Sequence, residues 1–129
     1  MQFSWTVQFF ALPVATLHSN ILIRKSPSKI GFVSDHSGYE FKQQLINLFN
    51  DKYFTADYGC YSKENCDYSD YIPVACQGLY DLEVDLVIAS CFTGQGVSIS
   101  ANHHKGIIAI NAYDQESILL GRKHNCPNF

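Results

Sequence analysis

The chain has 129 residues, of which 47% are hydrophobic and 16% charged, so one globular domain with a buried core is expected rather than a disordered or fibrous protein. Nine basic and twelve acidic side chains give a formal net charge of −3 without a basic run, which argues against nucleic-acid binding through a charged face. No apolar run reaches the roughly 20 residues that a membrane-spanning helix needs. We therefore expect neither nucleic acid nor a membrane as a partner.

The N-terminal segment is apolar and aromatic-rich over residues 1–17, which raises the question of a signal peptide. The positively charged start of such a peptide is missing, because Arg24 and Lys25 follow the apolar run. An appended leader, or a start codon assigned too far upstream, is a better interpretation than export. Residues 24–29 are polar and carry a proline, which is typical of a linker. We predict a leader or linker over residues 1–28 and a domain over residues 29–129.

The domain opens with a strand, a turn and a helix. Residues 30–33 are an apolar run that predicts a buried strand, and apolar residues at helical spacing from Tyr39 to Phe49 predict a helix. The turn between them carries two ionisable groups, Asp35 and His36, at the carboxyl end of the strand.

The middle of the domain continues the same alternation. Residues 53–58 predict a second strand, residues 59–70 a polar loop, and residues 73–82 a helix with Pro73 in its first turn. The next apolar run, 86–89, has the composition of a strand buried on both faces of a parallel sheet.

After that strand come a polar turn and a helix that ends at Asn102. Residues 107–110 predict a fourth strand, and residues 114–123 predict a last helix capped by Asp114. Regular alternation of strand and helix implies parallel strands with right-handed crossovers. The predicted fold is α/β, a Rossmann-like three-layer sandwich with a parallel β-sheet and helices on both faces.

The five cysteines make an odd number without a C-x-x-C pair, so the spacing indicates neither a disulfide framework nor a zinc site. Reduced thiols in a cytoplasm are the expected state. Adjacent histidines at 103 and 104 point in different directions on a helix and make a poor metal site. No metal is expected. The cysteines are Cys60, Cys66, Cys76, Cys91 and Cys126.

Cys91 has two readings. A thiol at the start of a helix is surrounded by backbone N–H donors that favour the thiolate, which can act as a base or a nucleophile. The plainer reading is a small buried side chain at a strand end. The following T-G-Q-G turn favours chemistry, because two glycines let the backbone approach a ligand and form a cradle for an oxyanion. This turn lacks the third glycine of a dinucleotide-binding fingerprint.

Two histidines stand beside polar neighbours at predicted element ends, His36 after Asp35 and His124 before Asn125. An isolated histidine is more often a surface or packing residue than a catalyst. An imidazole is nevertheless the usual proton donor where a reaction needs one near neutral pH.

Six motifs in order, spread from about residue 29 to 128, resemble the type B ribose-5-phosphate isomerase family, which also includes galactose-6-phosphate isomerase subunits. The resemblance implies interconversion of ribose 5-phosphate and ribulose 5-phosphate through an enediolate, in the pentose phosphate pathway, by a cytoplasmic homodimer without metal or organic cofactor. The motifs are S-D-H-S-G-Y-E-F-K at 34–42, D-Y-G at 57–59, D-Y-S-D-Y at 67–71, C-F-T-G-Q-G-V-S-I-S-A-N at 91–102, K-G-I at 105–107 and R-K-H-N at 122–125.

The resemblance also implies roles for individual residues. Cys91 matches the base that moves a proton between C2 and C1, and His124 matches the acid that opens the sugar ring. Asp35 and His36 match a pair that contacts sugar and phosphate, and Asn125 matches a contact to a sugar hydroxyl. The cradle for the enediolate oxygens corresponds to the turn formed by Phe92, Thr93, Gly94, Gln95 and Gly96.

The chain departs from the family pattern in three places. Phe92 replaces a glycine, so its ring either distorts the cradle or points away from it, and Ile108 replaces an arginine. The chain stops at Phe129, where family members continue through another strand and a long helix with phosphate-binding arginines. A galactose-6-phosphate isomerase subunit and a non-catalytic truncated remnant therefore remain alternative readings.

Overall fold

A computed structural model describes residues 26–129 and shows a parallel sheet of three strands. The strands are β1 (Lys29–Ser34), β2 (Phe54–Asp57) and β3 (Leu86–Ser90), in the order β2-β1-β3. In the ladders, Ile30 of β1 lies opposite Thr55 of β2 and Leu86 of β3. β1 is therefore the central strand, which explains why every residue after its first is buried.

Four helices accompany the sheet, and the side chains of β1 alternate between two hydrophobic clusters. Phe32 packs with Leu45 in one cluster, and Val33 packs with Ile72 and Val97 in the other. Successive side chains of a strand point to opposite faces, so these helices cover both faces of the sheet. The predicted α/β class is confirmed. The helices are α1 (Tyr39–Phe49), α2 (Tyr68–Tyr80), α3 (Gln95–Asn102) and α4 (Gln115–Asn125).

The predicted start of α2 at Pro73 is wrong, because the helix begins five residues earlier and Pro73 lies inside it. Asp67 caps the true start, where its carboxylate accepts a hydrogen bond from the Ser69 backbone N–H at 2.9 Å. The proline lacks the N–H that a helix interior uses. Burial of Ile72 and Cys76 on either side of Pro73 holds the helix together across that position.

The predicted fourth strand at 107–110 is also wrong as a strand of the sheet. The last two residues of the chain lie between this segment and β3: the Val87 N–H donates to the Asn128 carbonyl at 3.0 Å, and the Ile110 N–H donates to the Phe129 carbonyl at 3.3 Å. Two residues are too few to form a β-ladder, so residues 107–110 form no strand. Phe129 is buried in the core.

The remaining helix predictions agree with the structure. Residues 39–49 are helical, and Asp114 caps α4 with its carboxylate accepting from the Ser117 N–H at 2.8 Å. None of the helices formed by residues 26–129 has the length and apolar character required to cross a bilayer. Most of the predicted leader, residues 1–25, lies outside the described residues, and the boundary at residue 28 stays a prediction.

The expectation that all five cysteines are reduced thiols is wrong for two of them. Cys60 and Cys66 form a disulfide across a short loop, with their Cα atoms 6.8 Å apart. Their spacing in sequence matches no disulfide motif, and only the folding of the loop brings them together. Burial raises the pKa of the Cys76 thiol to about 11, so that residue stays protonated and inert.

Candidate active site

The carboxyl ends of β1 and β3 meet, and this contact positions two predicted site residues side by side along the sheet edge. The Asp35 backbone N–H donates to the Ser90 carbonyl at 3.3 Å, and the Ser90 hydroxyl donates to the Gly38 carbonyl at 3.1 Å. A Cβ atom at Gly38 would lie 2.3 Å from the Ser90 oxygen, so only glycine fits. Asp35 is thereby held next to the strand end that leads into Cys91.

The Asp35 carboxylate is buried and organises its own turn. Its Oδ1 accepts hydrogen bonds from the Ser37 hydroxyl at 2.6 Å and from the Gly38 N–H at 2.9 Å. Donors on one oxygen fix the direction of the carboxylate. The side chain is therefore already oriented before any ligand binds.

A cavity of about 380 Å³ opens beside this turn. The structure places both Asp35 and His36 on its wall, whereas Cys91 and His124 are not among the lining residues. The opposite wall comes from the loop before α2 and from the first turn of that helix. The complete lining is Asp35, His36, Asn65, Cys66, Asp67, Tyr68 and Asp70.

The sequence did not predict a binding role for the opposite wall, although three of its residues belong to the D-Y-S-D-Y motif at 67–71. The hydrogen bond from the Ser69 backbone N–H lowers the pKa of the Asp67 carboxyl, so this carboxyl stays charged. His36 is held from the same side, with its Nδ1 2.8 Å from the Cys66 carbonyl oxygen. The cavity thus presents carboxylates and one imidazole to a ligand.

The turn after β3 places the Cys91 thiol under a backbone donor. The Gly94 N–H donates to the Cys91 Sγ at 3.1 Å, and the thiol is partly buried. Gly94 has a φ of 75°, which favours glycine, and a Cβ there would lie 2.5 Å from Asn111 Oδ1. The N–H directed at the sulfur fixes the position of the Cys91 side chain at the start of α3.

The same turn contains backbone donors with no acceptor of their own. Among the described residues, the amides of Thr93, Gly96 and Val97 make no internal hydrogen bond, as expected at the start of a helix. Gly96 also lies against the cavity wall, because a Cβ there would be 2.6 Å from the Tyr68 hydroxyl. The Cys91 turn and the cavity are therefore neighbours.

Phe92 does not fill the cradle. Its side chain is 89% exposed, so the ring points away from the turn and the two glycines keep their close contacts. The segment after α3 supports the turn instead: Gln95 Nε2 donates to the Tyr113 hydroxyl in a short hydrogen bond, and Asn111 Nδ2 donates to the Thr93 carbonyl at 3.4 Å. Neither Asn111 nor Tyr113 carried a signal in the sequence.

His124 and Asn125 lie in the last turn of α4 and are exposed. Within residues 26–129, neither side chain makes a hydrogen bond to the Cys91 turn. The position of α4 comes from Gly121, where a Cβ would lie 2.4 Å from the Ile110 side chain, and from the bond of Arg122 to the Pro127 carbonyl at 2.6 Å. The roles of His124 and Asn125 stay predictions.

Lys42 is a further residue that the sequence reading missed. Its side chain is fully buried, forms a close ion pair with Asp57 and donates to the Cys60 carbonyl at 2.7 Å. Burial lowers the pKa of Lys42, and the neighbouring Asp57 opposes that shift. The signal was present, since Lys42 is three residues from both Tyr39 and Leu45 and so falls on the apolar stripe of α1.

Metal binding is not indicated by the described part of the chain. No group of three or more His, Cys, Asp or Glu side chains within residues 26–129 is arranged to hold a metal ion.

Comparison with known proteins identifies the family of the chain. A family model described as Ribose/Galactose Isomerase matches residues 30–129. Ribose-5-phosphate isomerase B of Escherichia coli (strain K12) is 36% identical over 101 residues, which cover 78% of this chain and 68% of the relative.

Solved structures give the same result. A ribose 5-phosphate isomerase from Thermotoga maritima superposes with a TM-score of 0.76 at 37% identity, covering 78% of this chain and 70% of that one. Ribose-5-phosphate isomerase B from Clostridium thermocellum has a TM-score of 0.75 at 34% identity, covering 78% and 68%. The chain therefore belongs to the ribose/galactose isomerase family.

Proposed function

We propose that this protein is an aldose–ketose isomerase that interconverts ribose 5-phosphate and ribulose 5-phosphate through an enediolate. The observation that carries the proposal is the Cys91 turn, where the thiol accepts the Gly94 N–H at 3.1 Å and unpaired amides follow directly. Relatives named ribose-5-phosphate isomerase B, at 33–36% identity, support the same activity.

The proposed proton transfer uses both parts of that turn. A C–H proton next to a carbonyl is weakly acidic, so its removal needs a placed base together with donors for the charge that develops on oxygen. The Cys91 thiolate takes the proton from C2 of the open-chain aldose, and the electron pair moves to the C1 carbonyl oxygen. A proton then moves from the C2 hydroxyl to the C1 oxygen, and return of the first proton from Cys91 to C1 gives the ketose, while unpaired amides of the 92–96 turn hold the enediolate oxygens.

The remaining roles follow from where the other side chains lie. The carboxylates on the cavity wall are acceptors for sugar hydroxyls, and Asp35 is the one whose direction is fixed by its turn. The His36 ring lies on the same wall, and its Nε2 is proposed to accept a hydrogen bond from a sugar hydroxyl. His124 is proposed to donate a proton to the ring oxygen, and Asn125 to contact a hydroxyl.

Assembly and location are part of the proposal. A homodimer is supported by three apolar side chains of α4, Ile118, Leu119 and Leu120, which are 42–48% exposed and gain by being covered. A cytoplasmic location fits the phosphorylated sugar proposed as substrate. The enzyme domain is proposed to span residues 29–129, with residues 1–28 outside it.

The central test is the Cys91→Ala variant. Loss of the base should lower kcat by roughly 10²–10⁴-fold, while calorimetry should still detect binding of ribose 5-phosphate. The matched control is Cys126→Ala, which removes an exposed thiol and should keep wild-type activity. Full activity of Cys91→Ala would show that another group is the base.

A companion variant, His124→Ala, separates ring opening from proton transfer. It should slow the reaction of the cyclic sugar more than that of an open-chain analogue, because only the cyclic form needs a proton on the ring oxygen. Equal losses on both substrates would remove His124 from that role.

The family description names galactose as well as ribose, so a galactose-6-phosphate isomerase subunit is the second candidate. Such a subunit would need a related second chain for activity. Assays of this chain alone on both sugar phosphates separate the two, and a folded chain without any heat of binding would instead indicate a non-catalytic remnant.

A further inference from the structure

We propose that the Cys60–Cys66 disulfide is a redox-controlled brace that fixes His36 and the loop part of one cavity wall, Asn65 and Cys66. The inference rests on the proposed function for its effect on catalysis, and on the contacts of three residues for its structure. Oxidation would hold the wall in place, and reduction would release it.

One end of the brace is anchored in the fold. Cys60 is 2% exposed, its N–H donates to the Ser34 carbonyl at 2.9 Å, and its carbonyl accepts from Lys42 Nζ at 2.7 Å. These bonds tie Cys60 to the end of the central strand β1 and to the buried face of α1. Its position therefore does not depend on the disulfide.

The other end belongs to a loop with few attachments. Residues 61–65 are exposed, and Lys63 contacts Glu40 in an ion pair whose two side chains are 65% and 67% exposed. Surface ion pairs of this kind contribute little to holding a loop. Tyr61 adds an edge contact to the Tyr71 ring, with centroids 6.2 Å apart. Tyr61 also packs against Lys42 Nζ, 5.5 Å from its ring centroid, and donates to the Asp57 carbonyl at 3.3 Å. Cys66 itself is held by its covalent bond to Cys60 on one side and by Asp67, the N-cap of α2, on the other.

Cys66 in turn determines which ring nitrogen of His36 carries the proton. The ring Nδ1 lies 2.8 Å from the Cys66 carbonyl oxygen and 3.4 Å from the Cys66 backbone nitrogen. Nδ1 cannot donate to the carbonyl and accept from the N–H at once, and the shorter contact makes it the donor. The proton then sits on Nδ1 and leaves Nε2 free. Within residues 26–129, His36 has no other side-chain hydrogen bond.

The disulfide would form by exchange with a low-molecular-weight disulfide such as oxidised glutathione. The Cys66 thiolate attacks one sulfur of the oxidant, whose S–S bond breaks and releases one thiol. The Cys60 thiolate then attacks Cys66 Sγ and releases the second thiol. Each cysteine loses one electron and one proton, and the two released thiol molecules carry the two electrons and the two protons. A dithiol reductant reverses the steps.

A bridge of this kind is expected to change state in the location proposed for this protein. Disulfides of cytoplasmic proteins are usually transient and redox-sensing rather than permanent. The less buried sulfur, that of Cys66, also lines the cavity, so exchange and the response to it occur at the same place.

The test follows the His36 ring by long-range ¹H–¹⁵N NMR of the full chain in glutathione buffers of stepped potential. In the oxidised wild type we expect the Nδ1–H tautomer, and on reduction a shift towards the Nε2–H tautomer, with a midpoint that matches thiol titration. The Cys60→Ser/Cys66→Ser variant should give the reduced pattern at every potential. The Cys126→Ser control should behave as wild type.

Activity is measured in parallel, because oxidised glutathione also reaches the partly buried thiol of Cys91. Loss of activity on oxidation of the double variant reports Cys91 when the loss persists after Cys126→Ser is added to that variant. In wild type, reduction should raise KM for ribose 5-phosphate about fivefold, the size expected for loss of one hydrogen bond, at unchanged kcat.

The two proposals fail differently. The brace is overturned if the His36 spectrum does not change with the redox potential. It is also overturned if the double variant and the oxidised wild type give the same spectrum. Both outcomes hold whatever the activity. A chain that is inactive at all potentials while His36 switches overturns the proposed isomerase and leaves the brace standing.

Discussion

The turns after β1 and β3 have the same construction but use different acceptors. In each, the residue that follows the strand accepts a hydrogen bond from the glycine three positions later, which is also the N-cap of the next helix: Asp35 Oδ1 from Gly38 at 2.9 Å, and Cys91 Sγ from Gly94 at 3.1 Å. The first turn offers a fixed carboxylate, and the second offers a sulfur with open amides. The same construction thus produces the turn proposed for substrate recognition and the turn proposed for proton transfer, called below the reactive turn.

The two turns also differ in what supports them. The carbonyl and the hydroxyl of the buried Ser90 hold the first turn, and the buried Lys42 fixes the adjoining loop. Side chains hold the second turn, chiefly those of Asn111 and Tyr113 from a segment that forms no strand. We infer that the first turn is rigid and that the second tolerates adjustment.

The largest expected effect is that of Lys42→Met, which removes the cation from a buried ion pair below the first turn. The free energy of unfolding in urea should fall by about 3–5 kcal/mol, because Asp57 is left without its partner.

The matched control for that variant is Lys63→Met, since Lys63 pairs with Glu40 at the surface. It should cost less than about 1 kcal/mol. Equal losses in both variants would mean that burial of the Lys42 pair does not support the first turn.

The second-largest effects are expected for alanine substitutions of the two turn glycines, Gly38 and Gly94. In Gly38→Ala the new methyl meets backbone 2.3 Å away and cannot be accommodated, so we expect a loss of about 2–3 kcal/mol. In Gly94→Ala the methyl meets the Asn111 side chain at 2.5 Å and the left-handed φ adds strain, for about 1–2 kcal/mol in all. Thermal unfolding measures both.

A second substitution, Asn111→Ala, distinguishes the two kinds of support. It should recover part of the loss in Gly94→Ala and none in Gly38→Ala. Recovery in both, or in neither, would contradict the difference in rigidity between the turns.

The smallest effect is expected for Phe92→Ala in the second turn. The ring is 89% exposed, so stability should change by no more than about 0.5 kcal/mol. The control is Phe32→Ala, at 0% exposure in β1, for which about 3–5 kcal/mol is expected. A large loss at Phe92 in urea unfolding would show that its ring supports the reactive turn.

Local patterns in the sequence predicted the parts of the fold that depend on local interactions. Apolar runs predict buried strands. Asp114 predicts a helix start, because a cap acts within one turn. Asp35 and Cys91 were found by the same logic, since polar residues directly after buried strands lie at the edge where parallel sheets bind ligands.

Contacts between distant segments were not predictable in this way. The placement of Asn128 beside β3, the pairing of Cys60 with Cys66 and the second cavity wall each require the chain to have folded first. The early start of α2 was missed for a different reason. Proline favours the first turn of a helix, which is where the prediction placed Pro73, and here the buried residues around it outweigh its missing N–H in the helix interior.

The contact between Gly96 and the Tyr68 hydroxyl leaves no clearance between the backbone of α3 and the ring on the cavity wall. A side chain at position 96 would collide with the Tyr68 ring, so the space beside that ring depends on a glycine in α3. Redesign of the proposed site for a larger sugar would therefore begin with Tyr68, because Gly96 has no side chain left to remove.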